Sequence, residues 1–83
     1  MEHTTQYDIQ KWFERGISEG ATHLIVVCDT FDYEDYPVFV MPGESVREKV
    51  SEYDGKEMQK VMEVYNLKMD MQSQLNEHRS FNY

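Results

Sequence analysis

The sequence predicts a small α+β domain in which an antiparallel β-hairpin packs against an N-terminal helix and a long C-terminal helix. Three features support this prediction: an apolar stripe with helical spacing near the start, two β-branched runs in the middle, and a methionine-rich stripe with helical spacing toward the end. The predicted elements follow one another in the order α-β-β-α-α. Because the 83 residues contain no linker or internal repeat, we expect residues 1–83 to form one domain.

The first helix is predicted over residues 6–19. Its apolar side chains lie at positions i, i+3, i+4 and i+8 of one stripe: Ile9, Trp12, Phe13 and Ile17. Thr5 and Asp8 have the spacing of a capping box at the start, and Gly20 favours the left-handed conformation that ends a helix. Gly16 lies within the stripe and allows another backbone to approach closely.

Two β-strands are predicted in the middle of the chain. Residues 24–28 form an apolar run that is typical of a central strand covered on both faces. Residues 36–41 are also strand-like, but Pro37 cannot donate a hydrogen bond and belongs at the start or edge of a sheet. Residues 29–35 between them are too few for a helical crossover, so the two strands are predicted to form a hairpin.

A second helix is predicted after the Pro42-Gly43 turn, because Ser45 and Glu48 repeat the capping-box spacing. Its inward-facing residues are expected to be Val46, Val50 and Tyr53. Asp54 and Gly55 then interrupt it.

The spacing after this interruption predicts one long helix over residues 56–78. Its inward stripe contains Met58, Val61, Met62, Tyr65, Met69, Gln72 and Leu75. Such a helix would extend roughly 33 Å, which is more than the body of a small domain needs. We therefore expect a homo-oligomer whose interface includes Met58, Met62, Tyr65 and Met69.

Acidic side chains outnumber basic ones by 16 to 8, which gives a formal net charge of −8. This surplus repels a phosphate backbone, so direct nucleic-acid binding is not expected. It suits a basic protein partner, although many proteins carry as much charge simply to remain in solution.

The single cysteine, Cys28, excludes an internal disulfide and lies in an apolar run, as expected for a reducing compartment. The N-terminal residues lack the pattern of a signal peptide, and the longest apolar run is far too short to span a membrane. We expect the protein to be cytoplasmic and not membrane-bound.

The common sequence signatures of catalysis are missing from the chain. It has no glycine-rich phosphate loop, nucleophile elbow or paired-histidine metalloprotease motif. Cys28 and His23 would lie on opposite faces of one strand, and no His or Cys pair has zinc-site spacing. We expect no enzymatic activity, cofactor or metal site.

The most distinctive segment is acidic and aromatic, and its candidate partner-binding residues are Asp29, Phe31, Asp32, Tyr33, Glu34, Asp35 and Tyr36. Its spacing lacks the alternating ligands and glycine of a calcium loop. Two interpretations remain open: a solvated turn whose tyrosines pack on the sheet, or a recognition loop with aromatic anchors. Glu48 and Glu52, on an acidic ridge of the second helix, complete the predicted partner-binding set.

An alternative function is a homo-oligomeric sponge that sequesters a nucleotide-type signal molecule. Aromatic and basic groups would then gather at a subunit boundary to hold the ligand. The candidate residues are Trp12, Arg15, Arg47, Lys49 and Arg79.

The Trp12-Phe13 pair and the block GATHLIVVCDTFDYEDYPV at residues 20–38 resemble a family of small phage and prophage proteins. The resemblance extends through the turn at residues 42–44 and the predicted C-terminal helix. It implies a phage-encoded protein in the host cytoplasm, which acts by occupying a host defence protein or sequestering its signal molecule.

Overall fold

The computed structural model describes residues 5–55, 58–77 and 80–83. The elements are α1 (Gln6–Ser18), β1 (His23–Asp29), β2 (Glu34–Val40), α2 (Val46–Tyr53), β3 (Gln59–Asn66) and α3 (Met71–Leu75). The α+β class predicted from the sequence is confirmed. The predicted first helix is confirmed as well, and the capping box of Thr5 marks its start.

The three strands form one antiparallel sheet in the order β2-β1-β3. The predicted hairpin is confirmed, because β1 and β2 pair along their whole length and Asp29 lies opposite Glu34. The central position of β1 is confirmed as well. On its other side β1 pairs with β3 through a bulge between Val26 and Val27, which gives β3 one extra residue, Met62.

Alternate residues of β1 supply two separate cores, one on each face of the sheet. The first core lies under α1 and α3 and contains Ile9, Phe13, Leu24, Val26, Tyr65, Leu67 and Leu75. The second lies under α2 and contains Ile25, Val27, Val40, Val61 and Val64. Helix α1 comes close to the sheet at Gly16, where an added Cβ would lie 2.7 Å from Leu67 Cδ1. The close neighbours at this glycine are side chains rather than backbone.

The predicted long C-terminal helix is wrong over residues 59–66, which form β3. The physical reason is that β1 has two edges, and a two-stranded hairpin alone would leave one row of its backbone groups without partners. The β-branched and aromatic residues Val61, Val64 and Tyr65 fit a strand as well as they fit a helical stripe. The observed order is therefore α-β-β-α-β-α. Residues 56, 57 and 78 of the predicted helix lie outside the described residues.

The helical stripe that suggested the oligomer interface is absent from the described residues, because residues 59–66 form a strand. The homo-oligomer itself stays a prediction. Tyr65 is 1% exposed within the first core, and Met62 packs against that core. Met58 and Met69 are exposed, but they lie before the start and after the end of β3. The four residues share no common face.

Asp70 caps the N-terminus of α3, because its side chain accepts a hydrogen bond from the Ser73 N–H. Beyond α3 the chain returns to the sheet, where Phe81 forms a parallel bridge with Val64 on the outer edge of β3. None of the described helices has both the length and the apolar character needed to cross a bilayer.

Candidate binding surface at the hairpin tip

The β1–β2 turn is fixed by hydrogen bonds from its own carboxylates. Asp29 Oδ1 accepts from the Phe31 N–H at 2.9 Å, and Asp32 Oδ1 accepts from the Glu34 N–H at 3.1 Å. The Tyr33 N–H donates to the Asp29 carbonyl at 2.7 Å. Short acidic side chains that bond to the backbone two residues ahead stabilise turns of this kind. Asp29 and Asp32 thus have a structural role whatever else they bind.

Met58 joins this turn from the other side of β1. The backbone N–H and the hydroxyl of Thr30 both donate to the Met58 carbonyl, at 2.7 and 2.8 Å. These two bonds hold the residue before β3 beside the hairpin. We call residues 29–35 together with Met58 the hairpin tip. The sequence did not predict the place of Met58, because its spacing assigned it to a helix.

The hairpin tip exposes three large apolar side chains. Phe31 is 76% exposed, Tyr33 68% and Met58 57%. Exposed apolar side chains grouped in one place are typical of interaction sites, whereas scattered ones are common on any surface. This grouping favours the recognition-loop interpretation over a merely solvated turn.

Two of these residues have strained backbones. Tyr33 has φ 59° and Met58 has φ 62°, and within the described part of the chain they are the non-glycine residues with positive φ. The left-handed conformation costs a bulky L-residue about 1–2 kcal/mol. Strain of this kind persists where surrounding bonds impose it, as the hydrogen bonds of the turn do here.

Four carboxylates belong to the same turn and the strand ends beside it: Asp29, Asp32, Glu34 and Asp35. The ion pairs formed within the described residues are Arg15–Glu19 and Lys49–Glu44, and neither involves the tip. The negative charge of the tip is therefore not neutralised by a bonded cation in this part of the chain. It attracts positively charged groups over about one Debye length.

Cys28 lies next to the tip, in an environment that favours its protonated thiol. Burial raises the pKa of its thiol, and so do a hydrogen bond to Asp35 and the nearby carboxylates of Asp29 and Asp32. A raised pKa keeps the thiol protonated at neutral pH, and the thiolate is the reactive form. His23 lies at the opposite end of β1, so the two do not form a dyad.

Tyr36 belongs to the layer beneath the tip rather than to its surface. Its side chain packs against the second core, and its hydroxyl accepts a hydrogen bond from Gln59 Nε2 at 2.5 Å. Its pKa is raised, first by burial and then by Tyr53 and Asp29. Tyr36 is therefore part of the packed layer next to the tip and not of its exposed surface.

Glu48 and Glu52 are exposed on α2, outside the hairpin tip. The C-terminal end of α2 is attached to the start of β3, because Asp54 Oδ1 accepts from the Val61 N–H at 3.2 Å. The acidic ridge that contains Glu48 and Glu52 therefore lies on the α2 face of the sheet. The C-terminal end of this helix is close to the end of the sheet that carries the hairpin tip.

The described residues of the sponge alternative, Trp12, Arg15, Arg47 and Lys49, do not meet within one chain. Trp12 and Arg15 lie on α1, and Arg47 and Lys49 lie on α2 across the sheet. Arg15 bonds Glu19 at 2.8 Å, Lys49 bonds Glu44 at 3.2 Å, and Arg47 stacks on the Tyr83 ring at 4.7 Å. Arg79 lies outside the described residues. A pocket that uses all four described groups would need a second copy of the chain.

Within residues 5–55, 58–77 and 80–83, no three His, Cys, Asp or Glu side chains are arranged to hold a metal ion. Comparison with known proteins finds no matching family model, curated protein or solved structure. The functional interpretation therefore depends on the chemistry of the hairpin tip.

Proposed function

We propose that this protein is a non-catalytic binding protein that inserts its hairpin tip into a basic surface of a protein partner. The observation that carries the proposal is the joint exposure of Phe31, Tyr33 and Met58 in a turn segment with four carboxylates, none of which forms an ion pair within the described residues. An apolar centre with a charged rim is the usual anatomy of a protein-binding site.

The apolar side chains would supply most of the affinity. Full burial of a side chain the size of Phe or Met stabilises a complex by about 1.5–3 kcal/mol. The hydrogen bonds of Asp29 and Asp32 hold the turn in place before binding. A preorganised loop loses less conformational entropy in the complex, which increases its affinity.

The carboxylates would determine which partners bind and how fast. Complementary charge accelerates association and disfavours acidic partners. The resemblance to small phage proteins suggests a host defence protein as the partner, and proteins that bind nucleic acid have the basic surface that this charge requires. Occupation of such a surface would block its normal ligand.

The test is capture of a partner from host lysate by the immobilised 83-residue chain, followed by affinity measurement with that purified partner. The tip variant is Phe31→Ser/Tyr33→Asn, in which Asn tolerates positive φ. The matched control is Tyr7→Ser/Ile17→Ser, which removes two exposed apolar side chains from α1.

We expect the tip variant to bind at least about tenfold more weakly than the wild type, and the control to bind normally. Equal losses in both variants, or undiminished binding by the tip variant, would refute the proposal. Circular dichroism of each variant verifies that the domain is folded.

A further inference from the structure

Two carboxylates of like charge face each other where β1 ends and β2 begins. Asp29 lies directly opposite Glu34 in the strand register. Opposite residues of antiparallel strands direct their side chains to the same face of the sheet, with Cβ atoms about 4.5–5.5 Å apart, and like charges in this arrangement are destabilising. The free protein therefore contains a repulsive pair at the base of its hairpin tip.

Within the described part of the chain, no basic side chain forms an ion pair with Asp29 or Glu34. One oxygen of Asp29 accepts a backbone N–H, whereas its second oxygen and the Glu34 carboxylate accept no hydrogen bond there. Helix α2, which packs on this face of the sheet, has no basic residue in its last turn. Lys60 lies opposite Cys28, so it shares the other face with Asp35. The two opposed carboxylates can thus accept a cation from a partner.

The turn that joins these two carboxylates also carries exposed aromatic rings. Phe31 is 76% exposed and Tyr33 68%. Among the described residues, the rings that stack with cationic side chains are those of Tyr7, Phe39 and Tyr83. The faces of aromatic rings attract cations. The turn therefore offers a cationic group of a partner both free carboxylate oxygens and free ring faces.

We propose that the hairpin tip recognises an arginine side chain of its protein partner, whose guanidinium bridges Asp29 and Glu34 and stacks on an aromatic ring of the turn. This inference rests on the proposed function, because it names the group of the partner that the tip binds. A guanidinium is planar, has five N–H donors in a fixed fork and stacks on aromatic rings, whereas a lysine ammonium is a compact and strongly hydrated charge. The guanidinium can use the carboxylates and a ring together, and its charge offsets the repulsion between Asp29 and Glu34.

The test titrates the 83-residue chain with two capped peptides of equal charge, GGRGG and GGKGG. Two-dimensional NMR follows the backbone amides of the protein at low salt, where exposed charges are least screened. We expect the arginine peptide to shift the amide signals of Tyr33 and Glu34. We also expect it to bind at least about threefold more tightly than the lysine peptide.

Glu34→Gln and Asp35→Asn are matched variants, because each removes one negative charge and the two residues lie on opposite faces of β2. We expect Glu34→Gln to lose the preference for the arginine peptide and Asp35→Asn to retain it. Because Glu34→Gln also removes the repulsion with Asp29, it should melt at least about 1 °C above Asp35→Asn in the absence of peptide.

The proposal is overturned if the two peptides bind equally well, if neither shifts the Tyr33 and Glu34 signals, or if Asp35→Asn also loses the preference. It is likewise overturned if Glu34→Gln does not melt at the higher temperature. Failure of the proposed function has a different result, namely normal partner capture by the Phe31→Ser/Tyr33→Asn variant. A partner captured through the tip, together with equal binding of the two peptides, would refute the arginine inference alone.

Discussion

Among single residues, Tyr33 combines a strained backbone with an exposed ring, so stability and binding should respond to its substitution in opposite directions. The Tyr33→Asn substitution removes an aromatic side chain that buries little in the free protein and introduces a residue that tolerates φ 59°. We expect the free energy of unfolding to rise by about 1 kcal/mol, measured by urea denaturation, while partner binding falls.

Phe31→Asn is the control for this prediction, because Phe31 is similarly exposed but does not have a positive φ. It should weaken binding without increasing stability. Equal changes in unfolding free energy for the two substitutions would mean that Tyr33 is not strained.

A second prediction concerns the protonation of His23. The Thr22 hydroxyl donates to the Val40 carbonyl at 3.1 Å, so it accepts from His23 Nδ1 at 2.9 Å. This leaves Nε2 unprotonated and buried, without a partner among the described residues. Burial lowers the pKa of His23, and Lys68 lowers it further.

Because the folded-state pKa of His23 is lowered, the unfolded chain binds its proton more tightly. The contribution of His23 to stability is therefore complete above the unfolded pKa of about 6.5 and is lost as the pH falls toward the folded value. We expect the free energy of unfolding to decrease between pH 7 and pH 5.5, and to decrease less in His23→Asn, which retains a donor near Thr22. Parallel pH profiles for the two proteins would contradict this prediction.

At the scale of secondary-structure elements, Pro37 is predicted to protect the β2 edge from other chains. Pro37→Val and Pro37→Thr both restore an outward N–H in the middle of this edge strand. We expect both variants to self-associate at lower concentration than the wild type, as measured by light scattering. Association of the valine variant alone would indicate that the added apolar side chain, rather than the open edge, is responsible.

The elements that could be predicted from the sequence are those defined by local signals. The first helix has its capping box at Thr5 and Asp8, and the hairpin has two strand-like runs joined by a short acidic segment. β3 could not be predicted in this way, because its apolar residues recur at a spacing that also fits a helix. Its identity as a strand follows from the unpaired edge of β1, which is a non-local requirement.

The same distinction applies to the hairpin tip. The acidic and aromatic composition of residues 29–35 predicted a candidate site, and the structure places Phe31 and Tyr33 on its exposed surface. The contribution of Met58 depends on the pairing of β3 with β1, so no local pattern could reveal it. Tyr36 satisfied the same pattern but packs beneath the surface, because its position in β2 directs it toward the second core.

At the scale of the whole molecule, the formal charge of −8 and the group of carboxylates at the hairpin tip can each affect the rate of association with a partner. The two effects can be separated experimentally. Glu34→Gln and Glu14→Gln each remove one negative charge and reduce the formal charge to −7. Glu34 lies at the tip and Glu14 on the exposed side of α1. If association depended only on net charge, the two variants would behave alike.

We expect Glu34→Gln to slow association with the captured partner about two- to threefold at low salt, and Glu14→Gln to slow it less, because charges close to the contact dominate steering. The difference should disappear near 1 M salt, where the Debye length is about 3 Å. Association rates measured by surface plasmon resonance over a salt series provide the test. If both variants have the same rate at every salt concentration, the charge of the whole molecule, and not that of the hairpin tip, guides the encounter.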